Sequence, residues 1–167
     1  LTLCVVIVTL ALNQITYFYL KKLFSLFILF ISVYTLHAQN EAAIWYFGEN
    51  AGLDFNSGAP VALLDGQINT HEGCAVISDY NGALLFYTDG ITVWNRNHIP
   101  MPNGTGLFGD PSAAQSAIIV PHPGIATQFY IFTADQLKGE NGINYSLVDI
   151  SLAGGFGDVI QKNIQLV

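Results

Sequence analysis

Apolar positions follow two different patterns along the chain. From Leu23 to Leu36 the run LFSLFILFISVYTL carries no charge; Lys21 and Lys22 stand before it and His37-Ala38-Gln39 after it. A short basic stretch, an apolar core of about 7 to 15 residues and a small residue ahead of polar sequence form the layout of a secretory signal peptide. Cleavage is expected after Ala38, leaving Gln39 at the mature N-terminus, with Leu36 where a second small residue is usual. No Met precedes Met101. Initiation at Leu20 therefore gives residues 20–38 as the signal peptide and residues 1–19 as a leader outside the translated protein. The alternative is a membrane anchor through residues 1–36, because Leu1 to Leu20 is also uncharged and crossing ~30 Å of hydrocarbon takes roughly 20 apolar residues.

From Gln39 onward the pattern changes to short β-type runs separated by Gly, Asn, Asp and Pro. Strands are predicted at Ile44 to Phe47, Cys74 to Ser78, Ala83 to Thr88, Thr92 to Arg96, Ser116 to Val120, Phe129 to Thr133, Tyr145 to Ile150 and Val159 to Leu166. Asp79-Tyr80-Asn81-Gly82, Asn103-Gly104 and Asn141-Gly142 are predicted turns, since these residues tolerate left-handed backbone geometry. Pro121 and Pro123 close a strand, because proline has no N–H for the ladder.

Ala75 to Asp89 and Ala117 to Asp135 echo one another: a small residue, an aliphatic run, a turn, an aromatic run, then Thr and Asp. Their offset is 42 residues at the start and 46 at the end. A period of about 40 to 45 residues with four strands per unit is that of β-propeller blades. The predicted fold is all-β: about two WD40/YVTN-like blades over residues 39–167, after the signal-peptide helix. Blades bury their faces against neighbours, so the segment is expected to be the N-terminal part of a longer array; a self-contained β-sandwich is the alternative.

Composition sharpens this picture. Of 5 basic and 12 acidic residues, the segment before Gln39 holds only Lys21 and Lys22, so residues 39–167 carry three basic and twelve acidic side chains, about −9. Such a segment has no basic patch for phosphates, which argues against nucleic-acid binding, and no polybasic stretch for an anionic membrane surface. Cys4 lies in the leader, so Cys74 is the single mature cysteine. No intrachain disulfide is expected there, and the run CAVIS suits Cys74 as a small buried hydrophobe.

Candidate chemistry is sparse. His71-Glu72-Gly73-Cys74 begins like the HExxH zinc helix, yet Ala75 holds the fifth position and the context is a turn entering a strand. His98 and His122 lie far from His71 in sequence, beside prolines, so a three-histidine metal site is not expected. Asp79, Asn81 and Asp89 are hard oxygen donors and form the one calcium candidate, without the bidentate Glu of an EF-hand. Glu72, Asp79 and Asp89 are the catalytic candidates, joined by Asp54 in a glycosidase-type carboxylate pair. Gly154-Gly155-Phe156-Gly157 has no following helix, so it is not a phosphate loop.

Thr88-Asp89-Gly90-Ile91-Thr92-Val93-Trp94 is similar to the Asp-box hairpin of sialidase-type propellers, although Asp and Gly adjoin here; the resemblance implies a structural role for Asp89 and Trp94. The stretches IWYFGENAGLDFNSGAPVAL, THEGCAVISDYNGALLFYTDGITVWNRNHIPMPNGTGLFG, QSAIIVPHPG and FYIFTAD together resemble the N-terminal region of large secreted proteins of gliding Bacteroidota. Those proteins combine a propeller-like domain with a gliding-motility-associated, type B sorting domain read by type IX secretion. The resemblance spans Ala43 to Val167 and implies export through the periplasm to the surface or medium, and an adhesin-like role without established catalysis. The sorting domain has no counterpart in the sequence. The expected function is thus non-enzymatic binding of protein or glycan, with no cofactor. The alternatives are a propeller glycosidase or lyase acting on extracellular polysaccharide, and a membrane-anchored periplasmic protein.

Overall fold

The computed structural model describes residues 14, 16–27, 40–137 and 139–166. The chain divides into two compact units, Leu1–Ala38 and Gln39–Val167. In the first, residues 16–27 are helical. Lys21 and Lys22 reach back one turn to lie 4.5 Å over the rings of Tyr17 and Phe18, the i, i+4 spacing at which helix side chains meet. Among the described residues no helix is long and apolar enough to cross a membrane. The predicted cleavage pair Ala38 and Gln39, together with Cys4, lies outside the described residues.

The second unit is all-β: three antiparallel sheets of three, four and four strands, none closed. The first sheet contains β1 (Ile44–Phe47), β2 (Ala51–Asp54) and β3 (Val61–Leu63). The second contains β4 (Ala75–Ser78), β5 (Leu84–Thr88), β6 (Thr92–Asn95) and β7 (Pro100–Thr105). The third contains β8 (Ala117–Pro121), β9 (Gln128–Ala134), β10 (Ile143–Asp149) and β11 (Asp158–Gln165). Each sheet is a plain meander, with consecutive strands as neighbours.

Three strands differ from expectation, each for a local reason. Strand β2 contains Gly52, a poor strand former whose missing side chain makes room for the Tyr46 ring; a Cβ there would stand 2.8 Å from it. Strand β3 is only three residues long. Strand β7 carries Pro100 and Pro102, which are tolerated because it is an edge strand. Asn103-Gly104, predicted as a turn, lies inside β7: Asn103 adopts φ 53° where the pairing with β6 shifts register between Thr92 and Trp94. It is a bulge rather than a chain reversal.

The middle sheet is covered on both faces. Ala75, Ile77, Phe86, Val93 and Met101 meet Ala117, Ile119, Phe129, Ile131, Val148 and Val159 of the third sheet in one apolar core. Phe86 stands edge-on to Phe129 with ring centroids 5.4 Å apart. Cys74, Val76, Tyr87 and Trp94 point to the opposite face, where they meet Ile44, Tyr46, Leu63 and Ile68.

The second and third sheets are stacked in parallel. Asn103 Nδ2 donates to Asp158 Oδ1, Lys162 Nζ to the Thr105 carbonyl and Asn163 Nδ2 to the Gly106 carbonyl, so β7 and β11 run side by side in the same direction. At the other margin the Gly73 amide donates to the Ala113 carbonyl at 3.3 Å, which brings the starts of β4 and β8 together. First strand thus lies beside first, and fourth beside fourth. Truncating Phe86 to Ala should cost about 3–5 kcal/mol of unfolding free energy, measured by urea denaturation, whereas Tyr80→Ala at an exposed turn should change it by less than about 0.5 kcal/mol.

Candidate functional site

Asp54, Asp79 and Asp89, singled out by sequence, fall into turns, where one oxygen of each, Oδ1, accepts turn hydrogen bonds. Asp89 accepts from the amides of Ile91 and Thr92 at 2.9 and 2.7 Å. Beside it the Thr88 hydroxyl donates to the Thr92 carbonyl and accepts from the Gly90 amide. Asp79 accepts from the amides of Asn81 and Ala83 at 2.8 and 2.9 Å. Asp54 holds both the amide and the side chain of Asn56. Asp135 repeats the arrangement with Gln136 and Asn141, whose amides hold its carboxyl below the usual range. Hydrogen bonds from Ser151, ahead of those from Gln128 and Thr127, do the same for Asp149.

Asp79 and Asp89 sit at opposite ends of β5, whose five residues at about 3.3 Å each put them roughly 15 Å apart. That separation corrects the expectation that they share a site. A glycosidase pair needs about 5 to 9.5 Å, and one calcium shell is smaller still. Among the described residues no three His, Cys, Asp or Glu side chains converge into a metal-holding group. The histidines are also dispersed: His71 is exposed, His122 stacks on Tyr130 and accepts from the amides of Gly124 and Ile125, and His98 belongs to a different cluster.

The role of His71-Glu72-Gly73-Cys74 is packing. A Cβ on Gly73 would collide with the backbone nitrogen of Ser116, so this glycine lets the loop before β4 close onto the start of β8. Glu72 is exposed. Cys74 is half-buried and its Sγ–H donates to the Tyr46 carbonyl at 3.3 Å. Burial pushes its thiol up, with a smaller push from Asp89, which leaves little of the nucleophilic thiolate at neutral pH.

One polar cluster was not visible in sequence. The Gln67 amide donates to the Tyr87 hydroxyl at 3.2 Å, which lies 3.0 Å from His98 Nδ1. His98 Nε2 is 3.3 Å from Asp65 Oδ2, and the Tyr46 hydroxyl donates to Asp65 Oδ1 at 2.8 Å. The neutral imidazole with its proton on Nε2 satisfies every member: Tyr87 donates to Nδ1 and Nε2–H donates to the carboxylate. An Asp–His pair of this kind orients a general base in hydrolases. Here the free nitrogen faces Tyr87, a residue with no solvent exposure, whose hydroxyl burial pushes up to about 12. Burial, then the hydrogen bond to Asp65, raises Tyr46 as well. Both phenols stay protonated at neutral pH, and the one basic nitrogen is occupied. The cluster fastens the segment around Asp65 to β1, β5 and the β6–β7 turn; Tyr46, Tyr87 and Trp94 form a stack beside it, with centroids 4.8 and 5.4 Å apart. Of its members only His98 stands out in the sequence as a candidate site residue. The others come from three separated segments, at Tyr46, Asp65–Gln67 and Tyr87, with no shared spacing to betray them.

Next to this stack, an apolar groove of about 470 Å³ runs along β1 and faces β4, lined by Ile44, Trp45, Phe47, Leu53, Cys74 and Val76. Comparison with protein-family models, with curated proteins and with solved structures finds no match to this chain.

Two substitutions separate packing from chemistry in the His71–Cys74 loop. Gly73→Ala should lose about 1–3 kcal/mol of stability by overpacking, and Glu72→Gln should be neutral within about 0.5 kcal/mol, both read from thermal unfolding. In the Asp89 turn, Asp89→Ala should lose about 1–2 kcal/mol with its two amide bonds. Asp89→Asn, which keeps an acceptor oxygen, should recover most of that loss.

Proposed function

We propose that residues 39–167 are part of an exported β-propeller-type module that works by binding protein or glycan at the cell surface or in the medium, without turnover. The parallel stack supports the blade reading: a blade-to-blade step superposes first strand on first and fourth on fourth, as β4 with β8 and β7 with β11 do. Export is supported by the order of basic residues, apolar run and Ala38-Gln39, and by the resemblance of Ala43 to Val167 to secreted proteins of gliding Bacteroidota.

The observation that carries the binding reading is the end of the stack reached by the turns after β4, β6, β8 and β10. Parallel sheets send these turns to one side. Tyr80 is 77% exposed there, Arg96 lies 5.0 Å over the exposed Phe156 ring, and Ile125 and Leu152 are exposed. An exposed ring and a cation on loops held by rigid strands suit stacking on a sugar or an aromatic side chain. In this reading Asp54, Asp79 and Asp89 serve as turn braces through Oδ1.

The test is a glycan array run with a polysaccharide hydrolysis screen on the exported protein, alongside N-terminal sequencing. Binding without turnover is expected, weakened about three- to tenfold by Tyr80→Ala, with Gln39 as the first residue of the exported form. Turnover abolished by Glu72→Gln would replace this reading with the glycosidase or lyase one; an N-terminus retained in the membrane would replace export with anchoring.

A further inference from the structure

The chain contains three Asn-Gly pairs, Asn81-Gly82, Asn103-Gly104 and Asn141-Gly142, and the fold treats them unequally. The dipeptide is chemically labile: with no side chain on the second residue, its backbone nitrogen can reach the carboxamide carbon of the asparagine and close a five-membered ring. In a folded chain the attack needs a glycine nitrogen that is accessible and unbonded, an asparagine side chain free to turn toward it, and a peptide N–H between them that can give up its proton.

Two of the pairs fail these conditions. Gly82 is buried, its amide donates to the Asp79 carbonyl at 2.9 Å and its carbonyl accepts from Asn56 Nδ2 at 3.0 Å. Gly104 is buried within β7, and the Asn103 side chain donates to Asp158 at 3.0 Å. Asn141-Gly142 differs on each count. Asn141 is exposed and Gly142 only half-buried, and the Gly142 amide has no hydrogen-bond partner among the described residues. The carbonyl of the same peptide unit, that of Asn141, accepts from Asn144 Nδ2 at 2.7 Å, and Asn144 is buried, so this donor is fixed in place. When the Gly142 N–H loses its proton the negative charge spreads onto that carbonyl oxygen, and a hydrogen bond to the charged form favours it. Asp135, whose Oδ2 accepts the Asn141 amide at 3.0 Å, is a like charge that opposes this; it is partly exposed and screened by solvent, whereas the Asn144 donor is buried and in direct contact.

We propose that Asn141 is a self-modification site, at which the Gly142 nitrogen attacks Asn141 Cγ and converts residue 141 to aspartate or isoaspartate without an enzyme. The bond formed is Gly142 N to Asn141 Cγ and the bond broken is Cγ to Nδ2. The amide proton passes to the departing nitrogen, which leaves as ammonia, and water opens the succinimide at either carbonyl. Both products put a second carboxylate beside Asp135. Isoaspartate also adds a methylene to the main chain, which displaces the carbonyl held by Asn144 and the bond from the Asp135 amide to the Gly142 carbonyl, at 3.1 Å, that closes the β9–β10 hairpin. The inference is independent of export and of glycan binding.

The test holds the full chain in mild detergent at mildly alkaline pH, with and without urea, and follows all three Asn-Gly pairs by peptide mapping, scoring the amide-to-acid mass change and isoaspartate at each. In the folded chain Asn141 should convert about two- to tenfold faster than Asn81, the worth of the backbone hydrogen bond that Gly82 has to break, and faster than Asn103; in urea the three rates should converge. Equal rates in the folded chain, or an order led by Asn81 or Asn103, overturn the proposal. So does a lead of Asn141 that urea leaves unchanged, because the fold is then not its cause.

Discussion

Neighbouring residues on β5 point to opposite sides of the middle sheet, and both sides are closed to water. Phe86 enters the core shared with the third sheet and Tyr87 enters the stack shared with the first; neither has any solvent exposure. At about 1.5–3 kcal/mol for a large buried side chain, a sheet built this way is stable only with cover on each face. The third sheet supplies that cover after the chain, having reached the edge strand β7, returns to the opposite margin to begin β8 beside β4. The connection between them does so with Leu107 buried and with Gly90, Gly109 and Ser116 in close approach. Parallel stacking is the geometric result of that return.

The strands legible in the sequence are those whose alternation survives into burial, such as β9, where Phe129, Ile131 and Thr133 face the core and Tyr130 and Phe132 the other side. Strands β2, β3 and β7 were illegible because glycine, brevity and proline mask them, and only their neighbours make them strands: the Tyr46 ring over Gly52, and an edge position for Pro100 and Pro102. The repeat was legible but slipped. An offset of 42 matches Ala75 to Ala117, yet these two residues lie on faces that meet each other. Sheets stacked in parallel must meet through non-equivalent faces. The offset of 46, which matches Phe86 to Phe132 and Asp89 to Asp135, respects that rule: Phe86 points into the contact with the third sheet while Phe132 points away from it.

Legibility of the site followed the same division. Residue types that cap turns reveal themselves locally, and Asp79 and Asp89 sit in the turns their neighbours predict. One oxygen of each carboxylate is engaged locally for the same reason, Oδ1 accepting two backbone amides. The Asp65–His98–Tyr87–Tyr46 cluster is the reverse case. No two of its members are close enough in sequence to form a motif, and hydrophobic patterning places Tyr46 and Tyr87 in the core without saying what their hydroxyls meet.

The two contacts of the middle sheet also differ in kind. Toward the third sheet it is aliphatic and aromatic carbon over four strands, with side-chain bonds from Asn103, Lys162 and Asn163 along the margin. Toward the first sheet it is a narrow aromatic stack and a polar cluster whose anchor, Asp65, is 57% exposed. Fewer buried apolar contacts and more solvent-reachable hydrogen bonds mark the part of a protein that opens first. The first sheet is thus the most weakly held layer. What holds it is the connection from β3 to β4, whose Asp65 and Gln67 bond to Tyr46, His98 and Tyr87.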